Sequence, residues 1–274
     1  MPGASPTALD AFIRGAPRLF VLTGAGCSTA SGIPDYRDEM GEWKHRRPVQ
    51  YQDFVSSHAS RQKYWARSLA GWTRVAEARP AAAHEALALL EDRGTVGTLV
   101  TQNVDGLHQK AGSREVIDLH GRLDSVRCLK CDATTTRAAI QVELVERNPR
   151  WAHKDATSAP DGDAKVEGPF DDVEVPACLE CGGVLKPDVV FFGENVPKAR
   201  VADAYAGLAD ADGVLVVGSS LMVCSGYRFC LAAAESAKPV ALINRGRTRA
   251  DDIAACKIDG DCGEALRRLV KNLA

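Results

Sequence analysis

The sequence of 274 residues predicts an α/β fold, a Rossmann-like, doubly wound parallel sheet with a small inserted zinc-binding module. A short apolar segment, residues 18–22, is followed at once by a glycine turn, residues 24–26. Apolar segments then alternate with stretches of helical periodicity, the order typical of a parallel sheet with helices on both faces. This alternation breaks between Cys128 and Cys181, where two Cys-x-x-Cys pairs flank a long insert.

The predicted elements follow from hydrophobic periodicity. Strands are predicted where apolar residues run together, and helices where they recur every three or four residues. The predicted strands are 18–22, 96–101, 116–119, 184–192, 213–218 and 240–244. The predicted helices lie within 51–78 and at 81–93, 198–208, 227–237 and 263–271. Ligands of such sheets bind beyond the carboxyl ends of the strands. One crevice is therefore expected to collect the residues that follow strands, namely Gly24, Asn103, His120, Ser219 and Asn244.

Two domains are expected. Residues 1–122 and 184–274 are predicted to form the Rossmann-like domain, whose glycine turn suits a nucleotide, and residues 123–183 the zinc module with an extended insert. Within that module, residues 148–177 are rich in Pro, Asp and Gly and have little periodicity. Part of the helical residues 40–80 is a candidate to pack with the module as the small domain.

Composition argues against two classes of partner. The formal net charge is −2, so no global basic field attracts nucleic acid or an anionic membrane. No apolar run approaches the roughly 20 residues that cross a bilayer. The first 18 residues lack an apolar signal segment, and with Asp10 they make a poor organelle-targeting helix. The basic cluster 44–47 is interpreted as a solvated loop. We therefore expect a cytoplasmic protein, with a monomer as the favoured state.

The cysteine spacing predicts a metal site. The chain has nine cysteines, which in an intracellular protein indicate metal ligands or free thiols more often than disulfides. The pairs Cys128-x-x-Cys131 and Cys178-x-x-Cys181 each place two thiolates on a tight turn. Together they predict a closed site for one structural Zn²⁺ ion per chain. Two redox pairs or disulfides remain the alternative.

Several polar residues at strand ends are candidates for function, and each has a structural alternative. His120 could be a working imidazole, whose ordinary pKa of about 6.5 suits proton transfer near neutral pH, or a buried core histidine. Asn103 or Asp105 could instead be the N-cap of the following helix. Residues 218–220 could form a phosphate cradle or a plain turn. His84 is expected to be structural, and no comparable setting is offered by His45, His58, His108 and His153.

The stretch GAGCSTASGIPDYR, residues 24–37, is similar to the nucleotide-binding signature of the sirtuins, the NAD-dependent protein deacylases. Further blocks resemble the same family in its order, over residues 18–269: TQNVDGLH from residue 101, LHG around His120, the two cysteine pairs, KPDVVFFGE from residue 186 and VVGSSL from residue 216. The expanded insert resembles the class II branch, which contains a mitochondrial sirtuin of weak deacetylase activity.

The resemblance implies cofactors and roles. NAD would be a consumed co-substrate, and the zinc ion would be structural. The implied catalytic residues are His120 as general base, Asn103 and Asp105. The implied cofactor-binding residues are Gly24, Ala25, Gly26, Ser28, Asp35, Tyr36, Arg37, Gln102, Asn103, Asp105, Gly218, Ser219, Ser220, Asn244 and Cys262. The implied substrate-binding residues are Val189, Val190, Phe192, Gly193 and Glu194.

Two positions depart from the common family pattern, and one pair of residues is similar to a feature of one branch. Tyr36 stands where phenylalanine is commoner, and Ser225 stands where many sirtuins have proline. Tyr64-x-x-Arg67 is similar to the pair with which one branch binds negatively charged acyl groups, although an ordinary helix face is the favoured interpretation.

The implied activity is removal of acyl groups from lysine side chains of acylated protein substrates, with nicotinamide and O-acyl-ADP-ribose as products. Protein ADP-ribosyltransfer would use the same NAD site and is the alternative. A non-catalytic NAD or ADP-ribose sensor is a further one. A hydride-transferring dehydrogenase is disfavoured because Thr29 occupies the position of the third glycine of the dinucleotide fingerprint. The preferred acyl group does not follow from the sequence.

Overall fold

The structure is a computed structural model that describes residues 6–44, 48–152 and 156–273. Outside these ranges lie residues 1–5, most of the basic cluster, with His45, Arg46 and Arg47, and also His153. Among the helices of the described ranges we find none with the length and apolar character that a membrane crossing requires.

Helices and strands alternate along most of the chain. The helices are α1 Pro6–Gly15, α2 Tyr51–Ser56, α3 His58–Glu77, α4 Ala82–Asp92, α5 Leu107–Lys110, α6 Arg137–Arg147, α7 Pro149–Ala152, α8 Lys198–Ala209, α9 Cys224–Glu235 and α10 Cys262–Asn272. The strands are β1 Leu19–Thr23, β2 Val96–Thr101, β3 Val116–Asp118, β4 Gly121–Cys128, β5 Thr134–Thr136, β6 Thr157–Ser158, β7 Ala164–Lys165, β8 Leu185–Val189, β9 Gly213–Val217, β10 Val240–Ile243 and β11 Cys256–Ile258.

A six-stranded parallel sheet has the order β3-β2-β1-β9-β10-β11. The chain builds outward from β1 to one edge and then, from β9, to the other edge. This is the doubly wound order, and its switch point lies between β1 and β9. The predicted α/β class with a Rossmann-like parallel sheet is therefore confirmed.

Apolar side chains cover both faces of this sheet. Every residue of β1, β9 and β10 is buried, as expected for strands enclosed on two sides. On one face, α4 and α10 pack through Leu87 and Leu266. On the other face, α9 packs through Phe229, whose ring centroid lies 5.5 Å from that of Phe20. The sheet is thereby held rigid, with only its strand ends open.

A second, antiparallel sheet has the order β5-β4-β8. The sequence predicted a strand at 184–192 within the series of the parallel sheet. The observed β8 is shorter and pairs with β4 instead, because it follows directly from the second cysteine pair, which lies beside the first. This small sheet crosses the predicted domain limits at 122/123 and 183/184, since β4 begins at Gly121. Those limits stay a prediction.

Helix α3 packs against the insert. Trp65 and Leu69 of α3 share an apolar cluster with Leu144 of α6 and Trp151 of α7. The predicted helical stretch 51–78 is divided at Ser57, whose side chain accepts the backbone N–H of Ser60 and so begins α3. The remaining predicted helices are observed within a few residues of their expected limits. Short elements such as α5, β6 and β11 had too little periodicity to be predicted.

Candidate active site

A cavity of about 1200 Å³ lies beyond the carboxyl ends of the parallel strands and reaches the small sheet and the insert. The sequence predicted that one crevice would collect the strand ends, and all five of the residues expected there line it. The predicted site residues on its wall are Gly24, Ala25, Gly26, Asp35, Tyr36, Arg37, Gln102, Asn103, His120, Val189, Val190, Phe192, Gly193, Glu194, Gly218, Ser219, Ser220, Asn244 and Cys262. Ser28 and Asp105 lie behind this wall.

Two glycine turns meet at the switch point. A Cβ atom on Gly24 would lie 2.7 Å from Cβ of Ser219, and one on Gly26 would lie 2.8 Å from Cα of Gly218. Gly218 itself has φ +63°, and a Cβ there would overlap the backbone nitrogen of Cys27. Only glycine allows this approach. The turns after β1 and β9 thus form one continuous backbone cradle.

Asn103 is held by residues beneath the cradle. Its side-chain amide donates to the backbone oxygen of Gly24 and to Oγ of Ser28, both at 3.0 Å. Ser28 donates in turn to Asp105 at 2.7 Å, and Asp105 also accepts the backbone N–H of Leu107 at 2.9 Å. Gly106 is the N-cap of helix α5, so Asn103 does not hold that position. Asp105 supports both the helix start and the orientation of Asn103.

His120 lines the cavity, and both of its ring nitrogens are hydrogen-bonded. Its Nδ1 lies 2.9 Å from the backbone oxygen of Gln102, which can only accept, so Nδ1 carries the proton. Nε2 then accepts the hydroxyl proton of Ser225 at 2.8 Å. Burial lowers the pKa of His120 to about 4, and the charges of Arg200 and Arg228 act in the same direction. The imidazole is therefore neutral at pH 7 and available as a base.

The contact between Ser225 and His120 was missed by the sequence reasoning. The sequence marks Ser225 only as a departure from the proline of many sirtuins. The two residues are 105 positions apart, and no local pattern connects them. The signal available in the sequence was the serine itself, because its hydroxyl can donate a hydrogen bond where the side chain of proline cannot.

The loop that carries Asp35, Tyr36 and Arg37 is fixed by side-chain contacts. Asp35 pairs with Lys44 at 2.7 Å. Arg37 donates to the backbone oxygen of Gly41 at 2.6 Å, and its guanidinium carbon lies 4.0 Å from the ring centroid of Trp43. The Tyr36 hydroxyl donates to Asp161 of the insert.

The predicted substrate strand borders the cavity opposite the cradle. Its backbone is bonded to neighbouring segments, since Val190 donates to the oxygen of His120 at 2.8 Å and Phe192 accepts from Tyr51 at 2.8 Å. Glu194 accepts from the buried Lys186 at 3.1 Å and from the N–H of Phe191 at 2.8 Å. Glu194 is therefore occupied within the protein, although it reaches the cavity wall.

Tyr64 and Arg67 also line the cavity, so α3 does not present them as an ordinary outer helix face. Arg67 forms an ion pair with Asp163 and donates through Nε to the oxygen of Ala164 at 3.0 Å. Burial raises the pKa of the Tyr64 phenol, which stays neutral. The guanidinium is thus already paired by the insert.

The four cysteines of the two Cys-x-x-Cys pairs converge. Their sulfur atoms lie within 4.8 Å of one another, with Cys128 and Cys181 at 3.5 Å and Cys131 and Cys178 at 3.7 Å. A disulfide has a sulfur–sulfur distance of about 2.05 Å, so these are free thiols. The tetrad has the donor set and the compactness to hold a metal ion.

These features together define a nucleotide-binding α/β protein, with a glycine cradle at the switch point of its sheet and a neutral histidine in the adjoining cavity. The Sir2 family model matches residues 24–225. The chain belongs to the Sir2 family, the sirtuins, and the resemblance noted in the sequence is confirmed. Its placement in the class II branch stays a prediction.

Curated relatives and solved structures are similar over nearly the whole chain. The NAD-dependent protein deacetylase of Bordetella bronchiseptica is 59% identical over 264 residues, which cover 96% of each chain. The NAD-dependent protein deacetylase 2 of Bradyrhizobium diazoefficiens is 57% identical over 263 residues, also 96% of each. A solved structure of Sir2 with a p53 peptide and NAD⁺ has a TM-score of 0.79 and 29% identity, covering 98% of each chain. A Sir2 complex with 2′-O-acetyl-ADP-ribose, a deacetylated p53 peptide and the inhibitor EX-527 has a TM-score of 0.77 and 30% identity, covering 97% of this chain and 98% of that one.

The cradle predicts a strong effect of one methyl group. Replacing Gly218→Ala should lower the free energy of unfolding by more than about 2 kcal/mol, because the new Cβ overlaps Cys27 in addition to the strain of a positive φ. Gly94→Ala is the matched control, since Gly94 has φ +76° but open space around it, and should cost about 1 kcal/mol. Urea unfolding measures both. Equal losses would show that the two turns do not constrain each other.

Proposed function

We propose that this protein is an NAD-dependent protein lysine deacylase. The observation that carries the proposal is His120, a neutral imidazole whose Nε2 lies at the cavity where doubly wound sheets bind dinucleotides. The names of relatives at 57–59% identity support the same activity. Those names refer to acetyl groups, and the acyl preference of this chain is open within the wider class.

The residues present fit NAD. The glycine cradle leaves room where a Cβ would otherwise stand, and the hydroxyls of Ser219 and Ser220 border it. When bound, NAD supplies an electrophilic ribose carbon with nicotinamide as its leaving group, which the acyl oxygen of the substrate lysine displaces. Gly24, Gly26 and Gly218 would hold the phosphates by close backbone approach, as parallel-sheet switch points do.

The role of His120 is proton transfer. We assign Nε2 the proton of a ribose hydroxyl, which can then capture the acyl carbon and release free lysine. Nδ1 stays bonded to the oxygen of Gln102, so the imidazolium formed on protonation keeps its orientation. Ser225 must release Nε2, or rotate to accept from it, when that proton arrives. One molecule of water would be consumed, and the products would be free lysine, nicotinamide and O-acyl-ADP-ribose.

Asn103 reaches the same cavity and is assigned to the nicotinamide ribose. Ser28 and Asp105 lie behind it, so we assign them positioning roles through the Asn103 amide. The peptide of an acylated protein is proposed to lie between residues 189–193 and residues 221–225, because residues 189–193 and 223–225 line the cavity. Exposed main-chain groups along such edges bind extended peptides with little side-chain selectivity.

A structural Zn²⁺ ion is proposed for the cysteine tetrad, because a closed set of four thiolates leaves no coordination position for catalysis. A cytoplasmic location, a monomeric state and the absence of nucleic-acid or membrane partners remain predictions. ADP-ribosyltransfer to protein and plain NAD sensing remain outcomes of the first experiment below.

The activity is tested by mass spectrometry after incubation with NAD and acyl-lysine peptides. His120→Ala should lower deacylation by about 100-fold or more while sparing much of the NAD binding, because it removes the base and not the cradle. His58→Ala, at an exposed position at the start of α3, is the control. Unchanged deacylation in the His120 variant would refute its role. Gain of ADP-ribose mass on protein would favour the transferase, and intact NAD would favour the sensor.

The pH dependence should reflect the buried imidazole. We expect kcat/KM to fall on acidification with a midpoint near pH 4, and to be nearly level from there to neutral pH. The sign follows because a lowered pKa keeps Nε2 unprotonated at every pH above about 4. The measurement is a pH–rate profile with subsaturating NAD and peptide. A midpoint at the ordinary histidine value of about 6.5 would contradict the burial argument.

The metal proposal is tested by native mass spectrometry and thermal unfolding. We expect one Zn²⁺ per chain, and a Tm lower by about 5–10 °C after chelation, because the small sheet and the turns of both Cys-x-x-Cys pairs depend on the tetrad. Cys178→Ser should reproduce the loss of metal. Cys256→Ser, at a cysteine outside the tetrad, is the control and should retain the ion. A chain that carries no metal and is indifferent to chelators would refute the proposal.

A further inference from the structure

A turn of the insert reaches over the cavity. Residues 159–165 contain a short 3₁₀ segment, Pro160–Gly162, and both Asp161 and Asp163 line the cavity wall. Asp161 has φ +54°, a left-handed conformation that residues other than glycine seldom adopt. Such conformations persist where the surrounding structure holds them, and they concentrate at functional sites.

Helix α3 supports this turn closely. Gly71 faces the turn, and a Cβ there would overlap the backbone oxygen of Gly162. Arg67 pairs with the carboxylate of Asp163 and donates to the oxygen of Ala164 at 3.0 Å. Within the turn, the N–H of Ala159 donates to the oxygen of Asp163 at 2.9 Å. Asp161 therefore stands on a fixed base.

Tyr36 contacts the turn from the opposite side of the cavity. Its hydroxyl donates to the Asp161 carboxylate across 125 residues of sequence. Its ring packs edge-on against Trp43 at 6.0 Å and Phe192 at 6.1 Å between centroids. Burial raises the pKa of the Tyr36 phenol, so the hydroxyl keeps its proton and remains a donor. Within residues 33–44 and the described part of the insert, this is the one hydrogen bond between a loop side chain and the insert.

We propose that Tyr36 is a positioning residue that fastens the loop 33–44 to the insert turn and, through that turn, to α3. The loop carries Asp35 and Arg37 on the cavity wall, so the tether sets both side chains in place before NAD binds. This inference rests on the proposed NAD site. Phenylalanine, which sirtuins commonly have at this position, would fill the same aromatic cluster without forming the bond.

The tether acts through conformational entropy. A loop that is already ordered loses less freedom when its ligand binds, so preorganisation appears as tighter binding. Loss of the bond should therefore weaken NAD binding and raise the KM for NAD. The turnover number should change less, because the hydroxyl moves no proton in the reaction.

The variants are Tyr36→Phe, Asp161→Gly and the double change. Phenylalanine keeps the aromatic contacts, and glycine suits the positive φ of residue 161 while removing the carboxylate. Tyr205→Phe is the matched control, at a half-exposed tyrosine of α8. The readouts are amide hydrogen exchange over residues 33–44 of the free protein, NAD affinity by calorimetry, and KM and kcat for NAD.

In each single variant we expect faster amide exchange confined to residues 33–44. We also expect NAD affinity to be about tenfold weaker and the KM for NAD about tenfold higher, the factor that 1.4 kcal/mol represents. The double variant should bind NAD no more weakly than either single variant, because both changes remove the same bond.

Unchanged exchange and affinity in the Tyr36 variant, or additive losses in the double variant, would overturn the proposal. A wild-type protein that removes no acyl group would refute the proposed function. The tether would still be tested in that case, because amide exchange and NAD affinity are measured without turnover. A wild type that binds no NAD would overturn the tether's role in the site.

Discussion

The structure depends on the close approach of two backbone turns. The turn after β1, with Gly24 and Gly26, meets the turn after β9, with Gly218, at a distance that admits no side chain. This contact joins the two halves of the parallel sheet at their carboxyl ends. It lies where the strand order reverses, which is the point at which doubly wound sheets open a crevice beyond the carboxyl ends of their strands. The same contact therefore forms the nucleotide cradle and holds the two halves of the sheet together.

The polar groups around the joint form a second layer of constraint. Ser28, Asp105 and the oxygen of Gly24 surround the amide of Asn103, and the oxygen of Gln102 sets the tautomer of His120. Each of these partners comes from a strand end or from the turn that follows it. A rigid sheet therefore determines the geometry of the reactive groups, as catalysis at a preorganised site requires.

The insert is part of the site and not an appendage. Asp163 pairs with Arg67 of α3, so this cavity-lining guanidinium is already paired when a substrate arrives. Asp161 bonds Tyr36 from the opposite wall. Two carboxylates of one short turn thereby connect α3 with the loop below the cradle. The expanded length between Cys131 and Cys178 provides the chain needed to reach that far.

The sequence by itself determined what depends on local pattern. Apolar runs and periodicity located five of the six strands of the parallel sheet and most of the long helices, and the spacing of Cys128, Cys131, Cys178 and Cys181 indicated one tetrad. Glycines and polar residues after strands indicated the crevice, because a parallel sheet brings all its carboxyl ends to one edge.

Only the tertiary structure decided which distant groups meet. It paired β8 with β4, placed the Ser225 hydroxyl on His120 and brought Tyr36 to Asp161. These contacts join residues that are far apart in the chain, so no window of sequence contains both partners. Their physical cause is the packing of whole elements, which depends on every buried surface together and not on the residues that finally touch.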